Sequence, residues 1–241
     1  MNLFRLIALP VATLAATALT APLVPLHAAP ARHHAAAAHD WTRVVSATPE
    51  GGFRIGNPAA KTRLVEYVSY TCPHCGHFAA EAHGPLTSDW IAKGTLSLEI
   101  RNIVRDRFDL AAALLAHCGG VPRFPGNHDA LFANQTAWFD KAQAYETANS
   151  GRPANPNHAA MLTDIADKTG LIALMQKRGL TPAQSRACLA DEKTVKALFD
   201  RTQKAIEQDK VTGTPSFAVN GRLVEAHSWA ELRPLLPAPA R

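Results

Sequence analysis

Leu64-Val65-Glu66-Tyr67-Val68-Ser69-Tyr70-Thr71-Cys72-Pro73-His74-Cys75-Gly76-His77-Phe78-Ala79-Ala80 is the stretch that decides the fold. An apolar run of the kind buried at a sheet centre leads into two thiols three positions apart, and helix-forming residues follow. Cys-x-x-Cys at a strand-to-helix junction reads as a redox site more readily than as a metal site. At a helix N-terminus the Cys72 sulfur faces unsatisfied backbone N–H groups and the positive end of the helix dipole, and both favour thiolate. Pro73 suits the first helical position, because its missing N–H is not needed there. His74 can add a positive charge or a hydrogen bond to the thiolate. Cys75 lies inward, one turn on, as the resolving thiol, while an exposed Cys72 is expected to exchange with substrate.

Working outward, residues 44–45 and 52–55 read as short strands around the turn Pro49-Glu50-Gly51-Gly52. The helix from Pro73 is predicted to kink or break at Gly84-Pro85 and to stop at Gly94. Leu96, Leu98 and Ile100 then alternate with Ser97, Glu99 and Arg101, which is strand periodicity, so strand, helix and strand form a βαβ unit with a right-handed crossover. From residue 108 to about 204 the pattern is helical, with separate helices expected over 110–116, 129–145, 158–177 and 182–189. Thr181 before Pro182 is an N-cap followed by proline at the first helical position. A longer helix from Asp191 places Val195, Leu198, Thr202, Ala205 and Ile206 on one face. Strand signals return at Pro215-Ser216-Phe217-Ala218-Val219, and Asn220-Gly221 supplies the residues a type I′ hairpin turn demands before Arg222-Leu223-Val224. Ser228-x-x-Glu231 opens a short final helix as a capping box.

The chain has 241 residues, enough for one large domain or two small ones, and 47% apolar residues support a substantial core. Residues 1–28 read as a secretory signal peptide: Arg5 is the only charge, residues 6–26 are uncharged and rich in Ala and Thr, and Leu26-His27-Ala28 is a small-residue processing site. The competing reading, a retained membrane anchor, is disfavoured by Pro10, Pro22 and Pro25. Residues 29–40, rich in Ala and His, read as a disordered leader. Without Arg5 the 25 basic residues fall to 24 against 20 acidic ones, a scattered net charge of +4, with no cationic run to suggest nucleic-acid binding. Export places the four cysteines in an oxidising compartment, and the expected location is periplasmic.

Cys72-Pro73-His74-Cys75, Gly213-Thr214-Pro215 ahead of the late hairpin, and a helical stretch between two strand-bearing halves together resemble the DsbA-like thiol:disulfide oxidoreductases. The resemblance implies an α/β thioredoxin fold carrying an inserted all-helical domain. Its first half would span residues 41–106, the insertion 107–204, and the second half 205–241. It implies that Pro215 is a cis proline facing the active site and that Thr214 pairs with an extended substrate. Pro-His between the cysteines is the dipeptide of the disulfide-donating members. Glu66, six positions before Cys72, matches the buried acid that some members place behind the resolving thiol. A bland alternative is an acid at the sheet rim paired with a cation.

The expected partners are protein substrates with thiols or disulfides and, by the resemblance, a membrane redox partner; the protein is expected to be a monomer. No cofactor is called for. His77 and His83 could be mistaken for zinc ligands beside Cys72 and Cys75, but the second cysteine pair is distant and no metal is expected. That pair, Cys118 and Cys188, most simply forms a structural disulfide; an electron relay or a free sensor thiol are the alternatives. Donation of disulfides leads, with reductase or isomerase chemistry at the same site close behind. A non-catalytic binding or chaperone-like module is the third reading.

Overall fold

The computed structural model describes residues 39–151, 153 and 155–239. The expected signal peptide and all of the expected leader but His39 and Asp40 lie outside the described residues. The ordered chain opens with β1 (Val45–Ala47), β2 (Phe53–Gly56), β3 (Thr62–Val68), α1 (Pro73–Pro85) and β4 (Leu96–Asn102). Helices follow without interruption: α2 (Arg107–His117), α3 (Phe124–Ala133), α4 (Gln135–Ala148), α5 (His158–Lys168), α6 (Leu171–Lys177), α7 (Pro182–Leu189) and α8 (Glu192–Glu207). The chain then closes with β5 (Ser216–Val219), β6 (Arg222–Val224) and α9 (Trp229–Leu232).

The six strands form one sheet in the order β1-β2-β4-β3-β5-β6. Only β3 and β4 run parallel; the other neighbours are antiparallel. β3 is central, pairing Glu66 with Ile100 on one side and Phe217 on the other. Its side chains alternate between faces. Leu64 and Val68 join the main core with Phe78, Leu98, Phe217 and the helices, whereas Val65 and Tyr67 join a smaller cluster with Ile103, Ala205 and Val211. Glu66 therefore points to the main-core face, the one α1 covers with Cys75, Phe78 and Ala82. Both faces are covered, so the polar half of β4 is buried too. Glu99 is satisfied there by the Thr48 hydroxyl at 2.8 Å and Arg101 Nε at 2.7 Å, where an alternating strand would have exposed it.

The change expected at Gly84-Pro85 occurs: α1 ends at Pro85 and gives way to a π-helical turn over Leu86–Ile91, closed by Ala92 N–H to Thr87 O, because Pro85 has no N–H to continue the ordinary ladder. Other helix expectations need correction. The helix expected over 129–145 is two helices joined at Asn134, whose side chain bonds back to Ala130 O. That over 158–177 is divided by Gly170, at φ +81°, a left-handed position that glycine adopts cheaply. The buried face of α8 is Leu198, Arg201 and Ala205, and Ile206 is 53% exposed instead of packed. At α9, Ser228 caps Glu231 N–H as expected, but the Glu231 carboxylate reaches the His227 N–H one residue earlier. Asn220 and Gly221 both take the positive φ that the hairpin turn requires.

Candidate active site

Cys72 is the N-cap residue of α1, with Pro73 at the first helical position. Both Cys72 and Cys75 are free thiols. The Cys72 pKa is brought down to about 5. A hydrogen bond from Cys75 contributes most, burial opposes it, and the Thr214 side chain and the backbone N–H groups of Cys75 and His74 add to it. Those N–H groups are the orphan donors of the first helical turn. In the thiol form Sγ–H instead donates to the Thr214 carbonyl at 3.0 Å, a bond that ionisation gives up. The Cys75 thiol is pushed well up, chiefly by burial and then by Cys72, with Glu66 adding to the effect. One thiol is thus built to ionise and the other to keep its proton.

Cys72 is less open than its expected role suggested. It is 3% exposed, at the floor of a cavity of about 760 Å³ walled by Ile103, Arg105, Thr202, Ile206 and Gly213. The loop bearing Thr214 closes over the sulfur, and its carbonyl, expected to await a substrate strand, is engaged by the thiol. The His74 side chain is exposed, and its contribution to the Cys72 thiolate is the backbone N–H. The Thr214–Pro215 peptide is cis. Its loop is pinned by Ser216 Oγ to Gly213 O at 2.8 Å and by His227 Nδ1 against Pro215 O at 2.9 Å. Ser216 was expected to be a plain strand residue, and its hydroxyl proves to tie the loop.

Glu66 is fully buried, at the sheet centre and not its rim. Its Oε2 lies 3.2 Å from His83 Nε2, while Oε1 has no partner among the described residues. Burial works against a charge on His83, but the Glu66 carboxylate, helped by Asp129, raises its pKa above the ordinary value. The partner of Glu66 is thus the His83 imidazole in the interior, where sequence reasoning offered a cation at the sheet rim as the alternative.

The turn that carries Cys72 is held from the inserted helices. Asp109 of α2, wholly buried, accepts from Ser69 Oγ at 2.6 Å, Tyr70 N–H at 2.8 Å and Arg105 N–H at 3.1 Å. Burial lifts its pKa to about 7, against those hydrogen bonds. Asp106, the N-cap of α2, takes the Thr71 hydroxyl at 2.7 Å. Gln135, the first residue of α4, donates from Nε2 to the Tyr70 and Cys72 carbonyls, each at 2.8 Å. Sequence reasoning missed all three. Asp106-x-x-Asp109 at a helix start was the available signal; nothing marks Gln135.

Cys118 and Cys188 form a disulfide, 70 residues apart in sequence, that ties the C-terminal end of α2 to α7. His77 is exposed on α1, and His83 faces Glu66 and Asp129, away from the thiols.

Comparison with known proteins agrees with this geometry. The Thioredoxin family profile matches residues 48–238. A crystal structure of a protein-disulfide isomerase from Novosphingobium aromaticivorans is 39% identical, with a TM-score of 0.69 over 76% of this chain and 93% of that one. A Rickettsia bellii protein named "Putative protein-disulfide oxidoreductase" is 29% identical over 74% of this chain, which spans 61% of that relative's length. Wolbachia pipientis alpha-DsbA1 shares the fold, with a TM-score of 0.56 at 22% identity over 72% of this chain and 78% of that one. The chain belongs to the thioredoxin family, with the DsbA-like form of its fold.

Proposed function

We propose that the protein is an exported thiol:disulfide oxidoreductase that donates the Cys72–Cys75 disulfide to substrate proteins. The observation that carries this reading is the Cys72 sulfur at the N-terminus of α1, held near pKa 5 beside a Cys75 thiol whose proton is tightly kept. In the oxidised enzyme a substrate thiolate attacks Cys72 Sγ, and the Cys72–Cys75 bond breaks with the electron pair leaving on Cys75. Cys75 takes up a proton, for which the buried Glu66 is the nearby acid and base. A second substrate thiolate then attacks the substrate sulfur of the mixed disulfide. The new substrate disulfide forms and Cys72 departs as thiolate, a good leaving group because its pKa is low. The Cys72–Cys75 pair ends two electrons richer, and in this reading a membrane redox partner reoxidises it.

The groove over Cys72 fits an extended segment of a protein substrate. Ile206 offers it an exposed apolar surface, and Thr214 stands at its edge. The Cys118–Cys188 disulfide supports a periplasmic location, since such bonds persist in oxidising compartments. No helix among the described residues is long and apolar enough to cross a membrane.

Between pH 5 and 9 each unit by which the thiol pKa lies below the ambient pH stabilises the reduced state by about 1.4 kcal/mol. At pH 7 this amounts to about 3 kcal/mol, or roughly 60 mV in favour of oxidising power. Measured against a thioredoxin near −270 mV, whose thiol titrates near 7, the expectation is a potential at or above about −210 mV. Equilibration with glutathione, together with thiolate absorbance, tests it. A value near −250 mV overturns donation and leaves the reductase or isomerase reading. A Glu66→Gln variant that exchanges at the parent rate removes that acid from the mechanism.

A further inference from the structure

We propose that His83, His128 and Asp129 form a binding site for a first-row transition-metal ion of the zinc type. The packing of α1 against α3 creates the cluster: one ligand atom from each of the three residues lies within 4.8 Å of the others. They line a cavity of about 670 Å³ that shares no lining residue with the thiol groove. The proposed ligands are distinct from the two thiols, although Glu66 lies between the two sites, acting on Cys75 and bonded to His83.

Each histidine has one ring nitrogen already committed and the other left over. The Glu66 carboxylate at 3.2 Å can only accept, so it fixes the proton of His83 on Nε2 and leaves Nδ1 as a lone-pair donor. Nδ1 lies 3.9 Å from Asp129 Oδ1, too far for a hydrogen bond. Zinc bonds of about 2.0–2.1 Å hold tetrahedral ligand atoms about 3.3 Å apart, so His83 and Asp129 must close by about 0.6 Å to seat an ion, within the reach of an exposed aspartate side chain. His128 is engaged through Nδ1 by the Tyr70 hydroxyl at 2.9 Å. Its Nε2 is buried without a partner among the described residues, in a ring that is 1% exposed and stacks on His83 with centroids 5.4 Å apart. A buried imidazole nitrogen without a partner calls for an explanation, and a metal ligand is one.

The outer contacts follow the pattern of metal-bound histidines, which are oriented through the second ring nitrogen by a carboxylate or another oxygen. Glu66 serves His83 in this way, and Tyr70 serves His128. Two imidazoles and a carboxylate suit zinc; calcium and magnesium would ask for oxygen throughout. The carboxylates of Asp129 and Glu66 balance the charge of a dication, and the cavity gives the ion an entry path and room for a fourth ligand.

The test is zinc titration calorimetry and cobalt visible absorption on the full chain. Cys72–Cys75 is kept oxidised, and His33→Ala, His34→Ala and His39→Ala are introduced, so that neither thiolates nor the leader compete. One ion per chain should bind, with a rise in melting temperature and the d–d bands of low-symmetry cobalt. Asp129→Asn, at an exposed carboxylate where folding is not at stake, should weaken binding at least tenfold, a loss of the order that outer-shell changes already reach. His83→Gln should abolish the cobalt bands. Absence of stoichiometric binding, or an affinity unchanged by both substitutions, overturns the proposal.

Discussion

The chain carries two cysteine pairs, and they sit at opposite ends of helices. Cys72 caps the N-terminus of α1, where N–H groups and the helix dipole favour an anion; Cys118 caps the C-terminus of α2, where carbonyls and the dipole disfavour one. Cys75 follows Cys72 after two residues, on the same helical turn, so making or breaking their bond moves little else. Cys188 lies 70 positions beyond Cys118, so their bond closes a loop across the helical insertion. The same functional group is set up to ionise in one setting and is cross-linked in the other. The difference lies in local electrostatics and in how much chain each bond constrains.

The largest expected effect breaks the comparison if it fails. Cys72→Ala should reduce disulfide exchange to the uncatalysed level and, in the reduced protein at pH 5 where most of the thiolate contribution is gone, shift unfolding free energy by no more than about 1 kcal/mol. Replacing Cys118 and Cys188 together by Ala should do the reverse: exchange within about threefold of the parent and a stability loss of about 2–4 kcal/mol in denaturant titration. Exchange that collapses in the second variant would make Cys118–Cys188 an electron relay and end the distinction.

A smaller effect sharpens it through pH. The folded pKa of Cys72 is depressed, so its contribution to the stability of the reduced enzyme is present above the unfolded value and is lost as pH falls from about 9 to about 5. The stability gap between reduced and oxidised protein should therefore shrink by about 2 kcal/mol between pH 7 and pH 5. Asp109 has the opposite sign. Its raised pKa favours the fold at low pH and loses that contribution as pH rises through about 7, but in both redox forms, so it cancels from the gap. Parallel urea titrations of the two forms measure it, and a gap independent of pH removes the thiolate from the account.

Much of this was legible in the sequence because the signals are local. Cys72-Pro73-His74-Cys75, the apolar β3, Asn220-Gly221 and Thr181-Pro182 each specify their own backbone, and each stands where the pattern put it. Misread were features decided by neighbours distant in sequence. Asn134 breaks a helix without glycine or proline; its backbone leaves the helical range and serves as the cap of both α3 and α4, with its side chain bonding Ala130 O. Ile206 fits an apolar stripe, yet α8 turns Arg201 inward, to bond the Glu50 carbonyl, and leaves Ile206 on the wall of the thiol cavity. Cys72 looked exposed because a helix N-terminus usually is, and only the tertiary structure lays the Thr214 loop over it. Glu66 showed its burial but not its partner, since His83 lies seventeen residues on, across the packing of α1 on the sheet.

The smallest effect asks whether the inserted helices hold the reactive pair in place. Gln135 Nε2 bonds the Tyr70 and Cys72 carbonyls, and its amide lies so close to Gly76 that a Cβ there would run into it. Gly76 stands inside α1, where alanine ordinarily improves helix stability by about 0.5–1 kcal/mol. With Gln135 present, Gly76→Ala should instead be neutral or destabilising, because the side chain must withdraw from two carbonyls to make room. Gln135→Ala alone should cost about 1–2 kcal/mol, leaving both carbonyls without their donor. In the Gln135→Ala background the clash is gone, so Gly76→Ala should recover its intrinsic gain. The sign of the Gly76→Ala effect thus reverses between the two backgrounds, a coupling of about 1 kcal/mol or more in a double-mutant cycle. A Gly76→Ala effect of the same sign and size in both would mean that the turn bearing Cys72 is held without Gln135. The reactive pair would then owe its geometry to α1 and the Asp106–Asp109 mount alone.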